Sequence, residues 1–105
     1  MFGRVGDLVI TGGENVWPVA VERVLARHPA VAEVAVVGRP DPEWGQRVVA
    51  VVVPAPGAEP PTLAALRDAT KAELPAYAAP RELVLVESLP RTPLGKVARA
   101  RLLRG

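Results

Sequence analysis

The stretch "VAEVAVVGRPDPEWGQRVVAVVVP", Val31 to Pro54, constrains this chain more than any other. "VAEVAVVGRP" alternates and then runs apolar, and "RVVAVVVP" does the same. Valine branched at Cβ favours a pleated strand over a helix. "RPDPEWGQ" between the two runs holds the proline and glycine of a connection, so the stretch reads as two strands joined by a loop. Its longest apolar run, "VVAVVV" from Val48 to Val53, is far below the roughly 20 residues a membrane helix needs.

Elements on either side complete the pattern. "DLVIT", Asp7 to Thr11, is a short β-branched strand bounded by glycines, and "GGEN" follows as a turn. Pro18 suits the first turn of a helix in which Val21, Val24, Leu25 and His28 recur at helical spacing until Pro29 ends it. "PAPGAEPP" is a Pro-rich connector. Thr62 is a good N-cap, and Leu63, Leu66, Ala69 and Leu74 predict a second amphipathic helix. "ELVLV", Glu82 to Val86, is a last strand, followed by a loop ending in Lys96; "VARARLLR" predicts a short tail helix. The order β-α-β-β-α-β is that of a split βαβ arrangement. The expected fold class is α+β: one small domain, 1–105, with an antiparallel or mixed sheet covered by helices, a C-terminal lysine loop and the tail helix.

Composition narrows the chemistry. The 105 residues are 50% hydrophobic but only 4% aromatic, so the core is built from Val, Leu and Ala. With no cysteine there is no disulfide, thiol nucleophile or Cys-ligated metal, and a single histidine, His28, makes a His-based metal site improbable. No metal ligands are therefore expected in this chain. The net charge of +2 is carried by scattered lysines and arginines, a mild bias that suits an anionic ligand better than nucleic acid. No signal-peptide pattern opens the sequence, which makes the cytoplasm the expected compartment. "MFGRVGDLVI" begins so abruptly on a strand that a domain cut from a longer chain is expected.

Three segments carry candidate chemistry. In "GRVGDLVITGGENVWP", Gly3 to Pro18, the Gly12-Gly13 pair is either a tight turn or a place where backbone approaches a ligand closely, and composition does not choose between them. In "DPEWGQ", Trp44 has no regular face to bury it; it either anchors a ligand or partner or packs over the sheet edge. In "RTPLGK", a lone loop lysine is ordinarily solvated surface. Pro90 and Pro93 nevertheless stiffen the approach and Gly95 permits a sharp turn, so the loop can aim the Lys96 ammonium at phosphate or carboxylate oxygens. No Ser, His and acid stand together as a triad, which leaves an electrostatic role.

Taken in order, "GR..DLVITGGENVWP..VE", "HPAVAEVAVVGRPDPEWGQRVVAVVV" and "LPRTPLGKVAR" resemble the C-terminal domain of the adenylate-forming enzymes. That superfamily comprises acyl-CoA synthetases, peptide-synthetase adenylation domains and luciferases. The resemblance covers Gly3 to Arg104, and "GGEN" with "DPEWGQ" looks like the acyl-CoA ligases among them, o-succinylbenzoate–CoA ligase included. It implies a mobile lid for a large N-terminal domain that this chain lacks. It also implies an activity in two halves: a carboxylic acid reacts with ATP to give acyl-AMP, and the acyl group passes to CoA. The fragment alone is then expected to be inactive, with the Mg²⁺ that ATP requires held by the absent domain.

Site residues follow from the same resemblance. Lys96 matches the lysine that bridges the acyl carboxylate and the α-phosphate of ATP, and Arg4 the arginine on the nucleotide ribose. Gly12, Gly13 and Glu14 match the strand and turn lining the pantetheine tunnel, and Trp44 an aromatic near the CoA end of that tunnel. The hinge falls at Gly6, usually Asp or Lys in such enzymes, with Asp7 beside it; glycine can absorb a hinge rotation but cannot hold either state by side-chain contacts. Ala20 replaces a usual glutamate, although Glu22 is kept. Ala78 and Ala79 stand where relatives often carry a basic residue for CoA phosphate. In an isolated domain the lysine loop is expected to be mobile and Lys96 unpaired.

Two other classes make different predictions. A stand-alone binding or interaction module would keep this fold without catalysis, and its reading frame would not continue upstream into a phosphate-binding loop. A nucleic-acid-binding α+β domain would cluster Lys and Arg and expose sheet aromatics, and this chain does neither. The acyl substrate is written in the absent domain; an aromatic acid or o-succinylbenzoate ranks ahead of a fatty acid.

Overall fold

A computed structural model describes residues 8–91 and 93–95 of the chain. Within them lie β1 (Val9–Thr11), β2 (Glu14–Val16), α1 (Pro18–Leu25), β3 (Val31–Asp41), β4 (Gly45–Pro54), α2 (Leu63–Lys71), a single 3-10 turn (Ala76–Ala78) and β5 (Glu82–Leu85). The α+β class, with antiparallel and mixed pairing under helices, is as expected. The segment that would form the tail helix lies outside the described residues.

β3 and β4 form the hairpin that the valine pattern predicts, in a register from Glu33 opposite Val53 to Asp41 opposite Gly45. β4 is central: β3 pairs with one edge antiparallel and β5 with the other in parallel, bringing Val49 opposite Glu82 and Val52 opposite Leu85. β4 is apolar on both faces because both are covered. Val48, Ala50 and Val52 join Val36, Val21, Leu25 and Leu66 in the larger core, while Val49 and Val51 join Ala35, Val37 and Leu89 in a second. A strand buried on both sides loses the polar alternation of a half-exposed one, which accounts for the unbroken "VVAVVV".

Each helix follows from its own residues. In α1, Pro18 occupies the first turn, and Pro18, Val21, Val24 and Leu25 turn one stripe inward. The helix ends at Leu25, before His28; the chain leaves through a tight turn in which His28 Nδ1 accepts the Ala30 N–H at 3.1 Å. In α2, Thr62 Oγ1 caps the Ala65 N–H at 3.1 Å, and the buried Thr70 hydroxyl donates to the Leu66 carbonyl at 2.9 Å. Among the described residues no helix is long and apolar enough to cross a membrane.

The sheet departs from a split βαβ layout at its first strand. β1 does not enter the main sheet. It pairs antiparallel with β2, a strand that the turn reading of "GGEN" omits, so that Gly12-Gly13 alone is the turn and Thr11 faces Glu14. Two consecutive glycines with positive φ, +56° and +82°, make the two-residue hairpin possible. The resulting pair of three-residue strands sits on the tip of the β3–β4 hairpin.

Candidate functional site

The tip of the β3–β4 hairpin is tighter than the loop "RPDPEWGQ" suggests, since only Pro42, Glu43 and Trp44 separate the strands. Asp41 sets this turn. One oxygen of its carboxylate, Oδ1, accepts the Glu43 N–H at 2.8 Å and the Trp44 N–H at 2.9 Å, and Gly45 at φ +81° lets the chain reverse into β4. Those backbone donors, Trp44 first and Glu43 second, hold the Asp41 carboxyl below the ordinary aspartate range, with Arg47 and Arg81 adding to the effect.

A carboxyl depressed in the folded state contributes stability above its unfolded pKa and loses that contribution as pH falls through the folded value. Asp41→Ala should therefore lower the urea midpoint of this chain at pH 7, and the gap from the parent should close as the pH is taken below about 4, the unperturbed aspartate value. A gap that stays constant through that range would contradict the assignment.

This turn aims Trp44 at the first hairpin. Its carbonyl accepts the Gly12 N–H at 2.9 Å, and its indole lies over Gly12 so closely that a Cβ there would sit 2.8 Å from the ring carbon Cε3. The glycine turn and the tryptophan, more than thirty positions apart in sequence, are in direct contact. Gly13 is exposed with open space around the position of a Cβ, and Glu14 is exposed at the start of β2. Trp44 is half-buried, as a loop tryptophan packed over a strand end should be.

The indole also carries a cation over its ring. The Arg81 guanidinium stands 4.2 Å from the ring centroid; the residue is placed just before β5, where its backbone N–H donates to the Val48 carbonyl of β4 at 2.8 Å. Arg39 and Arg47 nearby are both engaged by Glu82, at 3.1 and 2.8 Å, and Arg47 also donates to the Pro40 carbonyl at 2.7 Å. Arg81 has no carboxylate at ion-pair distance among the described residues. It is the site residue that sequence reasoning missed. Ala78 and Ala79, where a basic residue was sought, are buried in and after the 3-10 turn, and the exposed cation comes two residues later. The available signal was the arginine heading a strand that runs parallel to the one following Trp44.

The lysine loop leaves from the other core. Leu89 is buried there, Pro90 follows, and Arg91 reaches forward to donate to the Gly95 carbonyl at 3.1 Å while pairing with Glu33 of β3. Leu94 is 86% exposed and Gly95 has φ +87°. Lys96, Arg4, Gly6 and Asp7 lie outside the described residues. The structure thus brings Gly12, Gly13, Glu14 and Trp44 to one end of the domain, adds Arg81, and carries the described part of the lysine loop on a separate support.

No three His, Cys, Asp or Glu residues stand close enough to hold a metal among the described residues. Exposed backbone at Gly13, the Trp44 indole and an Arg81 guanidinium with no carboxylate at ion-pair distance among the described residues suit an extended, phosphate-bearing molecule.

Known proteins resemble this chain in sequence and in fold. A Mycobacterium tuberculosis protein named "Probable 2-succinylbenzoate--CoA ligase" is 49% identical over 104 residues, covering 99% of this chain and 27% of that protein. The indoleacetate–CoA ligase of Aromatoleum aromaticum is 46% identical over 97 residues, covering 90% of this chain and 18% of that enzyme. The ATP-bound crystal structure of MatB from Rhodopseudomonas palustris superimposes with a TM-score of 0.91 at 37% identity, over 98% of this chain and 20% of that one. The chain therefore spans about a quarter or less of the length of these relatives. Residues 20–96 match the model of the AMP-binding enzyme C-terminal domain, a span that runs from α1 to the lysine of the last loop, and the chain belongs to that family.

Proposed function

We propose that this chain is the mobile C-terminal lid of an acid–CoA ligase and that it works through two faces in turn. The observation that carries this reading is the stack of Gly12, Trp44 and Arg81, three residues from three segments gathered at one end of the domain. On the adenylation face, Lys96 places its ammonium between the acyl carboxylate and the α-phosphate of ATP and stabilises the charge that builds as acyl-AMP forms, while Arg4 holds the ribose. On the thioester face, the backbone of Gly12 and Gly13 lies along the pantetheine arm, Trp44 walls its outer end, and Arg81 pairs with a CoA phosphate. CoA supplies the thiol that takes the acyl group. Gly6 and Asp7 form the hinge that exchanges the two faces. On this reading the chain alone lacks the ATP and acyl pockets and is inactive.

An aromatic acid is the proposed substrate class, with o-succinylbenzoate first. The names of the two relatives, one for 2-succinylbenzoate and one for indoleacetate, support it. Pyrophosphate exchange by the complete reading frame across a panel of aromatic and fatty acids tests that choice, and exchange confined to fatty acids would overturn it.

The thioester face has its own test. In the complete enzyme, Arg81→Ala should raise KM for CoA about tenfold or more, the size of one lost charge-assisted hydrogen bond, and leave acyl-AMP formation unchanged. An unchanged KM for CoA would remove Arg81 from the site.

A further inference from the structure

The β1–β2 hairpin raises a question of support. Two strands of three residues form a marginal unit in water, and this pair joins no other sheet. Beyond the packing of Val9 and Val16 into the core, two hydrogen bonds hold its outer edge, at alternate residues of the chain. The Gly12 N–H donates to the Trp44 carbonyl at 2.9 Å, and the Ile10 N–H donates to the side-chain Oε1 of Gln46 at 2.8 Å.

Strand register explains why these two donors are available. Thr11 and Glu14 close the two-residue turn as a bonded pair, so the next pair, Ile10 with Asn15, is a non-bonded one, and the Ile10 N–H points away from β2. There it meets the beginning of β4. Gln46 supplies from its side chain the carbonyl that a neighbouring strand would supply from its backbone.

Gly38 makes the space. It lies in the middle of β3, where glycine ordinarily weakens a strand. A Cβ at Gly38 would sit 3.0 Å from Gln46 Nε2 and 3.0 Å from both γ-carbons of Val9. The absence of that atom lets the Gln46 amide and Val9 share one notch beside the hairpin tip.

We infer that Gln46 is a positioning residue for thioester formation, whose amide oxygen fixes the height of the Gly12-Gly13 turn against the Trp44 and Arg81 stack. The inference rests on the proposed assignment of that turn to CoA. Gln46 touches neither CoA nor the acyl group; it acts through the Ile10 N–H. It has no part in adenylation, because the lysine loop is supported from Leu89, Arg91 and Glu33.

The experiment compares Gln46→Leu, Gln46→Asn and Gln46→Glu in the complete enzyme with Trp44→Ala as reference. Thioester formation is read from supplied acyl-AMP and CoA, and adenylation from pyrophosphate exchange. Gln46→Leu removes the acceptor and Gln46→Asn withdraws it by one methylene without placing an apolar group in the notch. Both should lower kcat/KM for CoA about tenfold while exchange holds, and Gln46→Glu, which keeps an oxygen at the same reach, should restore most of it.

In the 105-residue chain itself, amide hydrogen exchange at Ile10 and Gly12 should quicken about tenfold in Gln46→Asn and stay slow in Gln46→Glu. Equal losses in both half-reactions, or no rescue by glutamate, would mean a merely structural role and overturn the inference. Full thioester activity in Gln46→Leu and Gln46→Asn beside a damaged Trp44→Ala would overturn the inference and leave the CoA assignment standing. Full activity in all of them, Trp44→Ala included, would overturn both.

Discussion

Lys96→Ala in the complete enzyme should cut acyl-AMP formation by about 100- to 1,000-fold, the usual loss when one preorganised partner of developing charge is removed. Thioester formation from supplied acyl-AMP should be unchanged. The split follows from the proposed separation of the two faces. The loop that ends in Lys96 leaves the domain through buried Leu89 and is braced by Arg91, which holds the Gly95 carbonyl and Glu33. The glycine turn rests on a different part of the sheet, at the β3–β4 tip. A compact ammonium on a pre-turned loop is a point charge for oxygens, and alanine there leaves the loop intact but neutral. Lys96→Arg keeps the charge with a bulkier, forked head and should recover only part of the rate. The measurements are pyrophosphate exchange and CoA-dependent release of AMP from added acyl-AMP. Equal losses in both would remove Lys96 from the adenylation role.

Gly12→Val should produce the opposite split and the largest structural effect on the thioester face. Gly12 is held at φ +56°, a conformation that a β-branched residue adopts only under strain, of order 1–3 kcal/mol. Sterics add to it. Even the first side-chain carbon would stand 2.8 Å from the Trp44 ring, whose own backbone is tied to Gly12 through the bond from the Gly12 N–H to the Trp44 carbonyl and whose centroid lies 4.2 Å from Arg81. Either the indole is displaced or the hairpin lifts. Both outcomes change the wall of the proposed CoA path, so thioester formation should fall about 100-fold, in the range that an ångström-scale misplacement costs, while adenylation continues. Tryptophan fluorescence of the variant should shift as Trp44 moves. Gly13→Ala is the control: it also puts a side chain at positive φ, +82°, but its Cβ would meet nothing within 4 Å. If Gly13→Ala equals Gly12→Val in every readout, strain rather than the indole contact governs this turn.

Several elements were legible because their determinants are local. The valine runs of β3 and β4 announce a hairpin through β-branching alone, and the turn needs only Asp41 and Gly45, which neighbour it in sequence. Thr62 caps α2 from three residues away, and Pro18 opens α1 from within its own first turn. Boundaries were less legible. α1 stops at Leu25 rather than near Pro29, because the turn after it is closed by backbone and His28 contacts that have no apolar period. β2 was hidden because "ENV" is too short to show alternation; its strand character comes from pairing with β1 across two glycines. The first strand's exclusion from the main sheet was also invisible, since element order alone does not say which edges pair.

By itself, the sequence determined that this protein is a small α+β domain with a valine hairpin at its centre. Through three ordered segments it also determined its family resemblance. Those are properties of residue type and spacing, and they survive without coordinates. Only the tertiary structure decided that Gly12 lies against Trp44, that Arg81 stands over the indole, and that Gln46 stands in for a strand carbonyl. Each of these contacts joins segments separated by thirty or more positions, and each depends on the register of β1, β4 and β5. Register is set by which faces are buried together, a decision made by packing across the whole core and not by any one stretch of the chain.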